Sequence, residues 1–183
     1  MFTFIKKNNM IKTLFFSLIT ICTLSASGQS PAALQQEKMK GLQFFTGSWK
    51  GEGWMMMQDG KKHHFDQTEV VQPKFNGGVL MIEGFGTDKE TKKPIHDALA
   101  YLTYDVLKQQ YRFTAMTGMG YMTDTAPEVK DNVGYTWSMD NPRYMVKFSL
   151  SLDQGDWFEI GEISTDKGVS WIKNFEMRLK KVN

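Results

Sequence analysis

The sequence predicts an all-β chain, an antiparallel up-and-down β-barrel of about nine or ten strands preceded by one short helix. Turn signals recur at regular spacing, apolar and polar residues alternate with period two between them, and helical periodicity is absent after Phe45. A barrel is preferred to a sandwich because closure leaves no unprotected sheet edge. The 183 residues include 13 Phe, 6 Tyr and 5 Trp but one Cys, which suits a single aromatic core and excludes a disulfide scaffold.

The first element is a targeting segment. Lys6, Lys7 and Lys12 open it, an apolar stretch runs from Ile11 to Leu24, and the small residues Ser25, Ala26, Ser27 and Gly28 close it. This is the pattern of a secretory signal cleaved after Gly28, with an apolar run too short to span a bilayer. Cys22 follows Ile21, where a lipoprotein signal wants a small residue. The expected organisation is a signal peptide at 1–28 and one barrel domain at 29–183, secreted or periplasmic, with no membrane span after cleavage. Removing the three lysines leaves 19 basic against 20 acidic residues and a charge of about −1, so a nucleic-acid or anionic-membrane partner has no electrostatic motive. The cleaved chain has no cysteine, which excludes thiol catalysis and thiolate metal ligation.

A short helix is expected between Gln29 and Phe45. Ser30 can cap it, Pro31 suits its first position, and Leu34, Met39 and Leu42 fall near one face. Turns follow at Asp59-Gly60, Asn76-Gly77-Gly78, Asp88 to Pro94, Asp105 to Gln109, Asp140-Asn141-Pro142, Gln154-Gly155-Asp156 and Asp166-Lys167-Gly168. Among the strands between them, Tyr144, Val146, Phe148 and Leu150 share one face, as do Tyr111, Phe113 and Ala115, and Phe175, Met177 and Leu179.

The first strand opens Gly47-Ser48-Trp49-Lys50-Gly51-Glu52-Gly53, a GxWxGxG arrangement just after the helix. With Leu102-Thr103-Tyr104-Asp105, the Met/Gly run after Phe113 and Phe175-Glu176-Met177-Arg178-Leu179, it resembles lipocalin-like (calycin) barrels. The closest likeness is to a family of small secreted bacterial proteins of unknown function. The resemblance implies structural roles for Gly47, Trp49, Gly51 and Gly53, with the ring closing the barrel base and the glycines allowing close approach. It further implies that a basic residue of the last strand packs on that ring, with Arg178 the candidate, although Arg178 lies on the face opposite Met177 and Leu179. The same string resembles the haem-binding nitrobindin branch, which uses a histidine late in the chain. Here the histidines are His63, His64 and His96, so that route to haem is not expected, and no cofactor or metal is predicted.

The chemistry-bearing residues point to a binding protein. The sequence has no G-x-S-x-G elbow, S-x-x-K, H-E-x-x-H or phosphate-cradling glycine loop, and no catalytic residue is assigned. The expected ligand is a small apolar or amphipathic molecule held by Tyr101, Leu102, Phe113, Met116, Tyr144, Val146, Phe148, Phe175 and Met177. Gly84, Gly86, Gly118 and Gly120 are read as giving open volume. The alternative is an enzyme using the same cavity through an inward carboxylate, drawn from Glu52, Glu83, Asp105, Glu159, Glu162 and Glu176, or through His96. A third reading has Met55, Met56 and Met57 with Met116, Met119 and Met122 holding Cu(I) through soft thioethers, although strand parity separates Met56 from its neighbours and Met119 from Met116 and Met122, and an adaptable pocket lining explains them more simply.

Overall fold

The computed structural model describes residues 29–182, and the signal segment read at 1–28 lies outside them. The helix α1 spans Pro31–Met39 with Pro31 in its first turn, and the Ser30 hydroxyl accepts from the Ala33 amide at 3.2 Å. A 3-10 helix over Lys40–Phe45 continues it. Met39, Leu42 and Phe45 are fully buried, so the two helices plug one end of the sheet.

Eleven antiparallel strands follow: β1 (Gly47–Met56), β2 (Lys62–Lys74), β3 (Val79–Asp88), β4 (Pro94–Asp105), β5 (Gln110–Thr117), β6 (Met122–Thr125), β7 (Glu128–Lys130), β8 (Gly134–Asn141), β9 (Tyr144–Asp153), β10 (Asp156–Ser164) and β11 (Ile172–Val182). Their spatial order is β6-β5-β4-β3-β2-β1-β11-β10-β9-β8-β7. The sheet curls into a barrel-like form in which β6 meets β8 through Thr123 Oγ1, 3.6 Å from Met139 Sδ, without a hydrogen-bonded rung among the described residues. The expected count of nine or ten is corrected to eleven. The surplus comes from β6 and β7, four and three residues separated by Ala126-Pro127, too short to show alternation.

Register explains what faces inward. One row across the sheet reads His96, Gly86, Gln67, Gly51, Leu179 and Trp157, and the next reads Ala98, Gly84, Glu69, Trp49 and Lys181. At the plug, Trp49 Nε1 donates to the Phe45 carbonyl at 2.7 Å, and Trp157 meets both Phe45 and Trp49 edge-on. Gly51 has no room for a Cβ, because the Arg178 carbonyl of β11 occupies that place. The basic partner of the Trp49 ring is Lys181, whose Nζ lies 5.2 Å from the ring centre. Arg178 is corrected as that partner: strand parity turns it outward, onto Asp153 at 2.6 Å and the Phe158 ring.

Hairpins ring the end opposite the plug. There His63 bridges Asp59 at 3.0 Å and Asp88 at 3.3 Å, tying the β1–β2 turn to the β3–β4 turn. At the plugged end Asp105 caps its hairpin as the sequence predicts, accepting from the Leu107 and Lys108 amides at 3.0 Å. Among the described residues, no helix is long and apolar enough to cross a membrane.

Candidate functional site

The interior wall is largely aromatic. Phe65, Phe175, Phe148, Trp137 and Phe113 touch in sequence, with ring centres 5.7, 5.6, 4.6 and 4.8 Å apart. Of the cavity residues expected from the sequence, Leu102, Phe113, Val146, Phe148, Phe175 and Met177 lie on the inward side of their strands. Tyr101 and Met116 are corrected: both are exposed on the outer face, where Tyr101 pairs with Thr114 and Met116 with Leu99 and Met122. A one-residue step along a strand changes its face, and Leu102, paired with Phe113, takes the inward place. Tyr144 has the inward parity of Val146 but lies exposed at the end of β9, where no further turn of sheet covers it. Trp137 and Trp157 are interior rings, whereas Trp54 and Trp171 lie under Lys62 and Lys147 respectively.

Set into this wall are polar side chains. Gln67 and Glu69 of β2 and Glu159 of β10 are 2%, 5% and 8% exposed. Gln67 Nε2 donates to Glu69 Oε1 at 2.7 Å, and Trp157 Nε1 donates to Glu159 Oε2 at 3.3 Å. Gln67 Oε1 is buried without a partner. Burial pushes the Glu69 carboxyl up to about 7, and burial with the Glu69 charge nearby pushes Glu159 up to about 8. Burial and these two carboxylates hold the Tyr135 phenol well above its ordinary range. His96 lies on the inward parity of β4, and burial lowers its pKa. At neutral pH the cluster therefore contains carboxyls poised between protonated and charged forms.

Local sequence explains how the acids fit. Glu69 lies across β3 at Gly84, where a Cβ would come within 2.6 Å of Oε1, and Gln67 lies likewise across Gly86. Gly84 and Gly86 are thus corrected as sources of open volume: their space holds the polar heads of β2. Gly118 and Gly120 belong to the β5–β6 turn. Glu159 was among the carboxylates considered from sequence, but Glu69 was not. Its signal was Phe65 and Val71 on the same parity, which places Gln67 and Glu69 on a buried face. The methionines separate: Met55 faces inward, Met56 and Met57 are exposed, and Met119 is at an exposed turn.

No family model matches this chain, and no curated protein sequence matches it. Solved structures similar to it include two that span most of the chain. Rv2717c from M. tuberculosis aligns over 85% of this chain and 100% of its own, at 14% identity and a TM-score of 0.59. The S-type phycobiliprotein lyase CPES from Guillardia theta aligns over 84% of this chain and 96% of its own, at 8% identity and a TM-score of 0.53. At these identities the likeness is one of fold, a barrel-like antiparallel sheet.

Proposed function

We propose that the chain is a secreted or periplasmic lipocalin-like binding protein that takes a small amphipathic molecule into the barrel. The apolar part would lie against the Phe113–Trp137–Phe148–Phe175 wall, and the polar end would meet Glu69, Glu159 and Gln67. One observation carries this reading: nearly complete burial of two carboxyls and an unpartnered amide oxygen inside an aromatic barrel. A filler core would gain stability from apolar residues at those positions, because desolvating a carboxylate costs several kcal/mol on the order of magnitude known for buried ions. Retaining acids there is understandable if they serve a ligand. The secretory pattern of residues 1–28 supports the compartment.

The test is native mass spectrometry of the protein purified from a secreting host, compared with its denatured mass. A stoichiometric adduct that disappears on denaturation is the expected result. No adduct, together with no change in tryptophan emission on adding small amphipathic probes, would overturn the reading, since Trp137 and Trp157 line the interior. A second reading, acid–base chemistry on the bound molecule, is favoured by Glu69 near 7 and Glu159 near 8, where one carboxyl can give a proton and the other accept one. Recovery of a chemically altered molecule after incubation would separate it from binding alone.

A further inference from the structure

We propose that Gln67, Glu69 and Glu159 form a counter-ion site for an organic cation, an amine or amidinium on an apolar body. This deepens the binding reading above and rests on it. The inference starts from a surplus of acceptors. Besides Gln67 Nε2 and Trp157 Nε1, which are given to Glu69 and Glu159, the cluster presents carboxylate oxygens and the unpartnered Gln67 Oε1. A buried acceptor left without a donor is destabilising, and a charged one more so. Such a group of atoms is complemented by a ligand that brings donors and positive charge; an ammonium has three N–H donors and no acceptor.

The protein supplies no such charge itself. Among the described residues, neither Glu69 nor Glu159 has an ion-pair partner, and basic groups of β2 and of β11, the strand paired with β10, make their contacts elsewhere. Lys181 of β11 lies over Trp49, Arg178 is outside on Asp153, and His63 is at the rim between Asp59 and Asp88. The titratable groups facing the two acids are Tyr135 from β8 and, one register row from Glu69, His96 from β4, which burial disfavours as a cation. A metal ion is a poorer fit, since no group of three His, Cys, Asp or Glu side chains among the described residues could hold one. The aromatic wall adds faces that attract cations as well as an apolar lining.

Because both buried carboxyls are partly protonated near neutrality, a bound cation draws them into their charged forms and expels protons, and affinity rises with pH until both are ionised. The experiment uses one skeleton in three charge states: 2-phenylethylamine, 2-phenylethanol and phenylacetate. Each is titrated calorimetrically into the purified full chain at about pH 7.5, in two buffers of different ionisation enthalpy, so that proton release is counted. The amine is expected to bind about tenfold or more tightly than the alcohol, an advantage equivalent to at least one pKa unit of interaction, with proton release and no binding of phenylacetate. The Glu69→Gln/Glu159→Gln double variant should remove the amine's advantage over the alcohol and its proton release, with far-UV circular dichroism and cooperative denaturant unfolding showing that the variant is folded; a folded variant that keeps both overturns the assignment. Alcohol or phenylacetate binding as tightly as the amine overturns the counter-ion site and leaves the general binding reading intact. Failure of all three to bind overturns it too, and the general reading then rests on the mass measurement alone.

Discussion

Asp88 at the rim and Glu69 in the interior are both nearly inaccessible carboxyls on neighbouring strands, yet their chemistry runs in opposite directions. Asp88 accepts from the Thr91 amide and hydroxyl, the Glu90 amide and His63, and these donors hold it down to about 2. Glu69 has one neutral donor, Gln67, and burial drives it up to about 7. Low exposed area therefore does not by itself decide the charge of an acid: Glu69 lies deep in the interior, where desolvation dominates, whereas Asp88 lies at the rim among donors. A turn supplies such donors within a few residues where a regular strand cannot, because its amides are already committed to the ladder.

The largest effect that would break this contrast is removal of the interior charges. A carboxyl whose folded pKa lies above its unfolded value costs no stability below the unfolded value, near 4.5, and its cost grows until pH passes the folded value. Glu159→Gln and Glu69→Gln should each stabilise the protein at about pH 9 by roughly 3 kcal/mol, with little change at about pH 5. Denaturant unfolding at the two pH values checks this, and an equal effect at both would show that the acids are not strained by ionisation.

Gly84→Ala sharpens the interior side of the comparison. Its Cβ would enter the space of Glu69 Oε1, so the expected loss is about 1–2 kcal/mol. Combining it with Glu69→Ala should recover most of that loss, because the obstructed side chain is gone, and a double-mutant cycle reads the coupling. Additive losses would mean that Gly84 is needed for its backbone and not for the acid.

The smallest effect is expected at the rim, with the opposite sign. Asp88 has a folded pKa below its ordinary 3.8, so its stabilisation is present above that value and is lost as pH falls towards 2. Asp88→Asn should lower Tm by a few degrees near neutrality and flatten the acid limb of the stability curve. Thermal scans between about pH 2 and 7 check it. His63, raised by Asp59 and Asp88, contributes in the reverse window: its pairing is fully present below 6.5 and fades as pH rises through its raised value.

Much of the fold was legible. Ser30 and Pro31 mark the helix start through local hydrogen bonding and a fixed φ, and Asp105 marks a hairpin through its own side chain. Alternation in Tyr144 to Leu150 and Phe175 to Leu179 states the faces of those strands. The site was less legible. Residues 65–71 read Phe, Asp, Gln, Thr, Glu, Val, Val: Phe65 and Val71 mark one parity as the buried one, but the two polar residues between them and Val70 on the other parity weaken that signal. In β10, Trp157 and Ile163 compete with Phe158 and Ile160 for the inside, and Glu159 follows whichever face wins. Tyr101 and Leu102 posed the same choice.

The sequence by itself determined an antiparallel barrel-like sheet with a capped helix before it, because caps, turns and period-two patterning act over a few residues. Only the tertiary structure decided that Glu69, Glu159 and Tyr135 are all buried, with Glu159 and Tyr135 on one register row, that Lys181 and not Arg178 lies on Trp49, and that Gly84 receives a carboxylate. Those facts depend on inter-strand register between segments distant in the chain, and a shift of one residue would turn each of these side chains to the other face.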